Sequence, residues 1–195
     1  MARSRDISKV LSSNTTLATD AEVAATYQTK ATAGLVLLTT ASFTGVASVA
    51  LPDNSFSTTY DHYKIIYKFV TPDTGSILFR LRLAGTNAVG SNYNYYDVFT
   101  TTAAGPSRQG ATDTAMFVGL HDSGVVNRNN IVEINVFNPF IAMPTTFQGN
   151  STNLTVRGVQ FNGDHTLSTS YDSAALVFTG SSMSSGSYSL YGFNK

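Results

Sequence analysis

The residues best equipped for chemistry are three histidines, each beside an aspartate: Asp61-His62, His121-Asp122 and Asp164-His165. In an extended chain adjacent side chains point to opposite faces, so adjacency alone makes no His–Asp dyad. No His-x-His or His-x-x-x-His spacing offers a metal two ligands from one element, and no cysteine adds a thiolate. The carboxylates Asp97, Asp113, Asp122, Glu133, Asp164 and Asp172 are scattered without the signature of a paired acid and base. Aspartate in turns is their ordinary role. A nucleophile elbow, a phosphate-cradling loop and a dinucleotide-binding glycine pattern are all missing. The sequence therefore predicts no enzyme, no cofactor and no metal.

Binding chemistry is better represented. Ser91-Asn92-Tyr93-Asn94-Tyr95-Tyr96-Asp97 sets three tyrosines among amides and a carboxylate. Aromatic faces stack on sugar rings while Asn and Asp read hydroxyls, so Tyr93 and Tyr96 are candidate receptor contacts. The plainer alternative puts Tyr93, Tyr95 and Phe99 on one face of a strand and Asn94, Tyr96 and Val98 on the other. Polar loops are expected over Ala103–Asp113 and His121–Asn130. The second carries Asn127, Arg128, Asn129 and Asn130, donors suited to sugar hydroxyls or carboxylates, and Arg128 and Asn129 join the candidate contacts.

The elements that would position these residues are strands. In residues 63–69 Tyr63, Ile65, Tyr67 and Phe69 alternate with Lys64 and Lys68. In residues 77–83 Ile77, Phe79, Leu81 and Leu83 alternate with Arg80 and Arg82. A period of two with one wet face is the mark of antiparallel strands. Further strands are expected at Leu35–Ala41, Ala47–Leu51, Tyr93–Thr101, Ala115–Leu120, Ile131–Phe137, Leu154–Phe161, Ala174–Phe178 and Tyr188–Phe193. Turn residues separate them at 51–54, 71–75, 138–139 and 162–164. Nine or ten short strands with no helices between them predict an all-β antiparallel sandwich or jelly roll over residues 34–195.

Residues 1–33 differ. Residues 1–18 are polar and aperiodic, an extended arm whose Ile7, Val10, Leu11 and Leu17 are points for docking into a neighbour. Thr19 stands three residues before Glu22, the capping-box spacing, and predicts a short helix over about 19–30. Its Val23 and Tyr27, at i and i+4, would pack on copies of the same helix or on the domain behind it, because about three turns are not stable alone.

Twelve Lys and Arg balance twelve Asp and Glu across 195 residues, and only 12% of residues are charged. That balance gives no electrostatic footprint for nucleic acid or an anionic membrane. Apolar runs fall short of a membrane span, and no apolar core follows Met1-Ala2-Arg3-Ser4-Arg5 as a signal peptide would require. The expectations are no nucleic-acid partner, no membrane insertion and synthesis in the cytoplasm.

Several segments resemble, in order, small structural proteins of tailed bacteriophages, especially of marine cyanophages, that carry a C-terminal jelly-roll fibre-type domain. The opening Met1–Asp6 and the Ala18–Ala24 segment are similar to their start and their short trimerising helix. Phe56–Ile66 resembles their F-x-x-x-Y-D-x-Y-x-I strand start, and Asn138-Pro139-Phe140 their N-P-F step. Gly180–Phe193 is similar to their G-x-M-x-x-G-x-x-x-L-Y-G ending. The resemblance implies a virion component, a homotrimer mounted on other virion proteins through its N-terminal arm. No repetitive shaft is present, so two mountings follow from it. One is a tail fibre or spike that attaches to a host-surface glycan; the alternative is a capsid decoration protein that cements the head shell. The motifs are structural, and no active-site residue is carried over from them.

Overall fold

The computed structural model describes residues 34–100, 107–121, 128–153 and 157–193. The arm and helix expected over residues 1–33, with Ile7, Val10, Leu11, Leu17, Val23 and Tyr27, lie outside the described residues, as does Asn127. The chain divides after Gly34, and the second unit, Leu35–Lys195, is a two-sheet antiparallel sandwich.

The larger sheet holds eight strands: β1 (Leu35–Val46), β13 (Met183–Phe193), β3 (His62–Thr71), β9 (Arg128–Phe137), β10 (Thr145–Asn153), β11 (Arg157–His165), β6 (Tyr93–Thr100) and β7 (Ser107–Asp113), neighbouring in that order. The smaller runs β2 (Ser48–Ala50), β12 (Ser173–Phe178), β4 (Gly75–Leu83) and β5 (Thr86–Asn87), and β8 (Met116–His121) also pairs with β4.

The alternation read in β3 and β4 builds the core. Tyr63, Ile65, Tyr67, Phe69, Ile77, Phe79 and Leu81 are all buried, as are Val132, Ile134, Val136, Phe147 and Phe161. The two inner faces meet: the Phe79 and Phe147 rings pack edge to face at 5.5 Å. Tyr93 reaches from one sheet to the other, taking a hydrogen bond from the Leu81 N–H at 2.9 Å and donating one to the Ala88 carbonyl at 3.2 Å. Each fully buried large side chain contributes roughly 1.5–3 kcal/mol.

Several sequence expectations change. Residues 107–113 form edge strand β7 rather than a loop, and Arg128, Asn129 and Asn130 already belong to β9. Asn162-Gly163-Asp164 lies inside β11 rather than in a turn. Strand β10 escaped the pattern because its inner face is Thr145, Phe147, Gly149 and Ser151, with one large apolar residue among four. The space over Gly149 is filled by the Phe161 ring instead: a Cβ there would lie 2.6 Å from that ring. Leu83 is exposed at the last position of β4, where Ala84 and Gly85, both at positive φ, turn the chain back to pair as β5.

Candidate functional site

Leu35 pairs with Phe193, Phe193 with His62 and His62 with Phe137, so these residues mark one end of the larger sheet, here termed proximal. Strand ends Thr100, Ser107, Arg128, Asn153 and Arg157 sit at the opposite, distal end. The register fixes this, since Asn130 faces Asn153 and Gly158 faces Thr100. The described ends that bracket residues 101–106, 122–127 and 154–156 are therefore together, away from where the sandwich begins.

The four candidate contacts separate. Tyr93 is fully buried, and its hydroxyl is spent on Leu81 and Ala88. It is a core residue and no surface contact, as the strand alternative had it. It also lies at the proximal end, paired with His165. Tyr96 is 45% exposed on the outer face of β6. Asn129 is exposed on the outer face near the start of β9, opposite Val70, and Arg128 precedes it opposite Thr71. Asn130, by contrast, is buried and donates to the Phe69 carbonyl at 3.4 Å. Three strand spacings of about 4.8 Å separate β9 from β6, so Asn129 and Tyr96 do not form one small site.

Between them the outer face carries a pattern invisible in the linear sequence. Asn135, Gln148, Asn162 and Tyr96 stand directly opposite one another across β9, β10, β11 and β6. The next row toward the distal end is Glu133, Asn150, Gln160 and Val98. Gln148, Asn162, Asn150 and Gln160 are exposed. Each carboxamide offers donors and an acceptor, and Glu133 is neutralised by Lys64 at 2.6 Å. The result is a neutral, two-way hydrogen-bonding grid with a half-exposed aromatic ring at one side.

The titratable groups are dispersed. His121 is buried and its Nδ1–H donates to the Asp73 carbonyl at 2.7 Å, which fixes its tautomer. His165 is buried among Tyr93 and Tyr171, with ring centroids at 4.5 and 5.1 Å. Burial pushes its imidazole below the ordinary value, with the Asp164 carboxylate pulling the other way. His62 packs against Phe137 on the outer face. Asp97 is buried on the inner face of β6, while Asp172 accepts from the Ala84 N–H at 2.9 Å and so holds the turn after β4. Asp113 takes bonds from the Tyr95 hydroxyl at 3.2 Å and the Thr114 N–H at 2.7 Å. Each of these last two carboxylates shapes local backbone.

No family model matches the sequence, and no curated protein matches it. Among solved structures the chain is similar to a sucrose-6-phosphate hydrolase from Lactobacillus gasseri, at 10% identity and TM-score 0.38, covering 82% of this chain and 29% of that one. It is similar to peanut lectin with a 9mer peptide at 11% identity and TM-score 0.29, over 81% of this chain and 89% of that one. A Lotus tetragonolobus seed lectin follows at 10% identity and TM-score 0.20, over 79% of each chain. The chain spans less than a third of the hydrolase's length, and at these TM-scores none of the three bears on function.

Proposed function

We propose that this chain is a virion structural protein, a self-associating tail fibre or spike component whose sandwich is presented to a host-surface glycan. The observation that carries this reading is polarity. The sandwich begins at the proximal end, where residues 1–33 precede it, while Asn129 and the strand ends bracketing three connecting segments lie distally. The neutral amide grid between Asn129 and Tyr96 supplies paired donors and acceptors for hydroxyl-rich ligands. At the finer level the fold reads as a jelly roll, because the chain switches sheets at most of its connections.

One observation favours the alternative, capsid decoration. Leu35, Leu37 and Phe193 are 47%, 54% and 36% exposed on neighbouring strands at the proximal end, an apolar area suited to a protein seat or to a second copy. Copy number per purified particle separates the two mountings, low for a tail and shell-filling for a head. Tyr96→Ala and Asn129→Ala should lower adsorption to host cells at unchanged particle yield. Unchanged adsorption in both, with shell-filling copy number, refutes the attachment reading in favour of decoration. Light scattering that returns the 20.8 kDa monomer at micromolar concentration refutes self-association.

A further inference from the structure

An open groove of about 410 Å³ lies at the proximal end, between β1 and β13 on one side and the connection from β2 to β3 on the other. Leu190 and Leu38 give it an apolar floor, while Asp53, Asn54, Ser57 and Thr39 ring it and Tyr60 supplies an aromatic wall. We propose that this groove is a binding site for a single neutral pyranose unit, distinct from the outer-face grid and independent of how the protein is mounted.

The walls are built in advance. Phe56 is fully buried, packs on Tyr63 at 4.6 Å and donates its N–H to the Asp172 carbonyl at 2.8 Å. The Tyr63 hydroxyl accepts from the Ser57 N–H at 2.7 Å and donates to the Ser57 carbonyl at 3.0 Å. Residues 56 and 57 are thereby pinned to β3, and the polar residues before them are held without a ligand. Such preorganisation removes ordering cost from binding. On the opposite wall the β1–β13 register slips between Leu37 and Thr39, and this bulge lets both Leu38 and Thr39 line the groove.

The lining chemistry selects the ligand class. Tyr60 lies over Gly192, where a Cβ would come 2.6 Å from its ring, so the glycine sets the depth of the aromatic wall. An aromatic wall and a leucine floor suit the C–H faces of a sugar ring. The Asp53 carboxylate is half exposed and Arg82 stands 3.5 Å from it, so the groove brings a strong acceptor with little net charge. That favours a neutral polyol over an anion or a free cation. Asn54, at φ 62, adds a carboxamide on the rim.

The test uses the full chain, isotopically labelled, titrated with methyl pyranosides of glucose, galactose, mannose, fucose and N-acetylglucosamine at millimolar concentration. At least one should shift amide resonances of residues 38–39 and 53–60. Asn54→Gly removes the carboxamide and keeps the left-handed backbone, and Asp53→Asn removes the charge. Each should weaken binding about three- to tenfold, as loss of one hydrogen bond does. Thermal stability checks that both variants fold. No shift with any pyranoside, shifts confined to the outer-face strands, parental affinity in both variants, or a response to n-butylammonium or acetate in place of every pyranoside overturns the assignment. Adsorption of Tyr96→Ala particles reads the attachment proposal separately.

Discussion

Replacing Tyr93 by phenylalanine removes one oxygen from a fully buried ring and leaves its packing on His165 and Phe147 in place. That oxygen bridges the two sheets, accepting from the Leu81 N–H and donating to the Ala88 carbonyl. Leu81 is itself fully buried, so its N–H is left without a partner or a path to water. An orphaned buried donor costs about 1–3 kcal/mol. The Ala88 carbonyl is only partly covered and regains a water, adding little. A loss near 2 kcal/mol in a sandwich this size lowers Tm by about 4–8 °C. Calorimetry on the full chain gives the shift, and hydrogen exchange at the Leu81 amide should accelerate by the same free energy. Adsorption of particles carrying the variant should fall no further than its loss of stability explains. A Tm within about 1 °C of the parent, or an unchanged Leu81 exchange rate, refutes the inter-sheet role. Reduced adsorption at unchanged Tm would return Tyr93 to the surface-contact reading.

Burial lowers the His165 imidazole below its ordinary value, so between that lowered value and about pH 6.5 the unfolded chain binds more protons than the folded one. Stability should fall as pH drops through this window, and urea midpoints of His165→Gln should show a flatter slope there than the parent. Burial raises the phenols of Tyr63, Tyr67, Tyr93, Tyr171 and Tyr188. They stay protonated when folded, so stability should decline above about pH 10 and near-UV titration should show a late step coincident with unfolding. Gly149→Ala would place a Cβ 2.0 Å from the Glu133 carbonyl in the middle of the larger sheet, and should cost about 3 kcal/mol or more. Phe161→Leu should recover little of that loss, because the contact with the β9 backbone remains; full recovery would show that the ring was the whole obstacle.

The sequence was most legible where one residue type decided the face. Tyr63, Ile65, Tyr67 and Phe69 against Lys64 and Lys68 announce β3, and the burial follows that reading at every one of these positions, with Lys68 the most exposed. It was least legible where the inner face is made of small residues covered from the neighbouring strand, as Gly149 is by Phe161. A linear pattern registers what a residue brings and not what its neighbour lends it. The same limit applies to the candidate sites. Tyr93 and Tyr96 sit in one tyrosine-rich run, and only the strand alternative distinguished them. The amide row Asn135, Gln148, Asn162 and Tyr96 is spread over four strands and exists only through the register. Asp53 and Asn54 read as turn residues and Tyr60 as part of the approach to a strand, since nothing local says that β1 and β13 face them across a groove.

Leu35 and Phe193 stand opposite each other, so the first and last strands of the sandwich are hydrogen-bonded neighbours whose free ends lie at the same end. Antiparallel strands pulled apart from one end open like a zipper, with each rung loaded in turn. Strands pulled from opposite ends slide, and every rung resists together. Tension between residues 35 and 193 therefore meets the Leu35–Phe193 rung alone at first. Tension between residue 35 and anything held near Asn129 runs lengthwise along β1, β13, β3 and β9 and loads their ladders in shear. The same hydrogen bonds make the sandwich a stiff tether from proximal to distal end and a peelable one between its two strand termini.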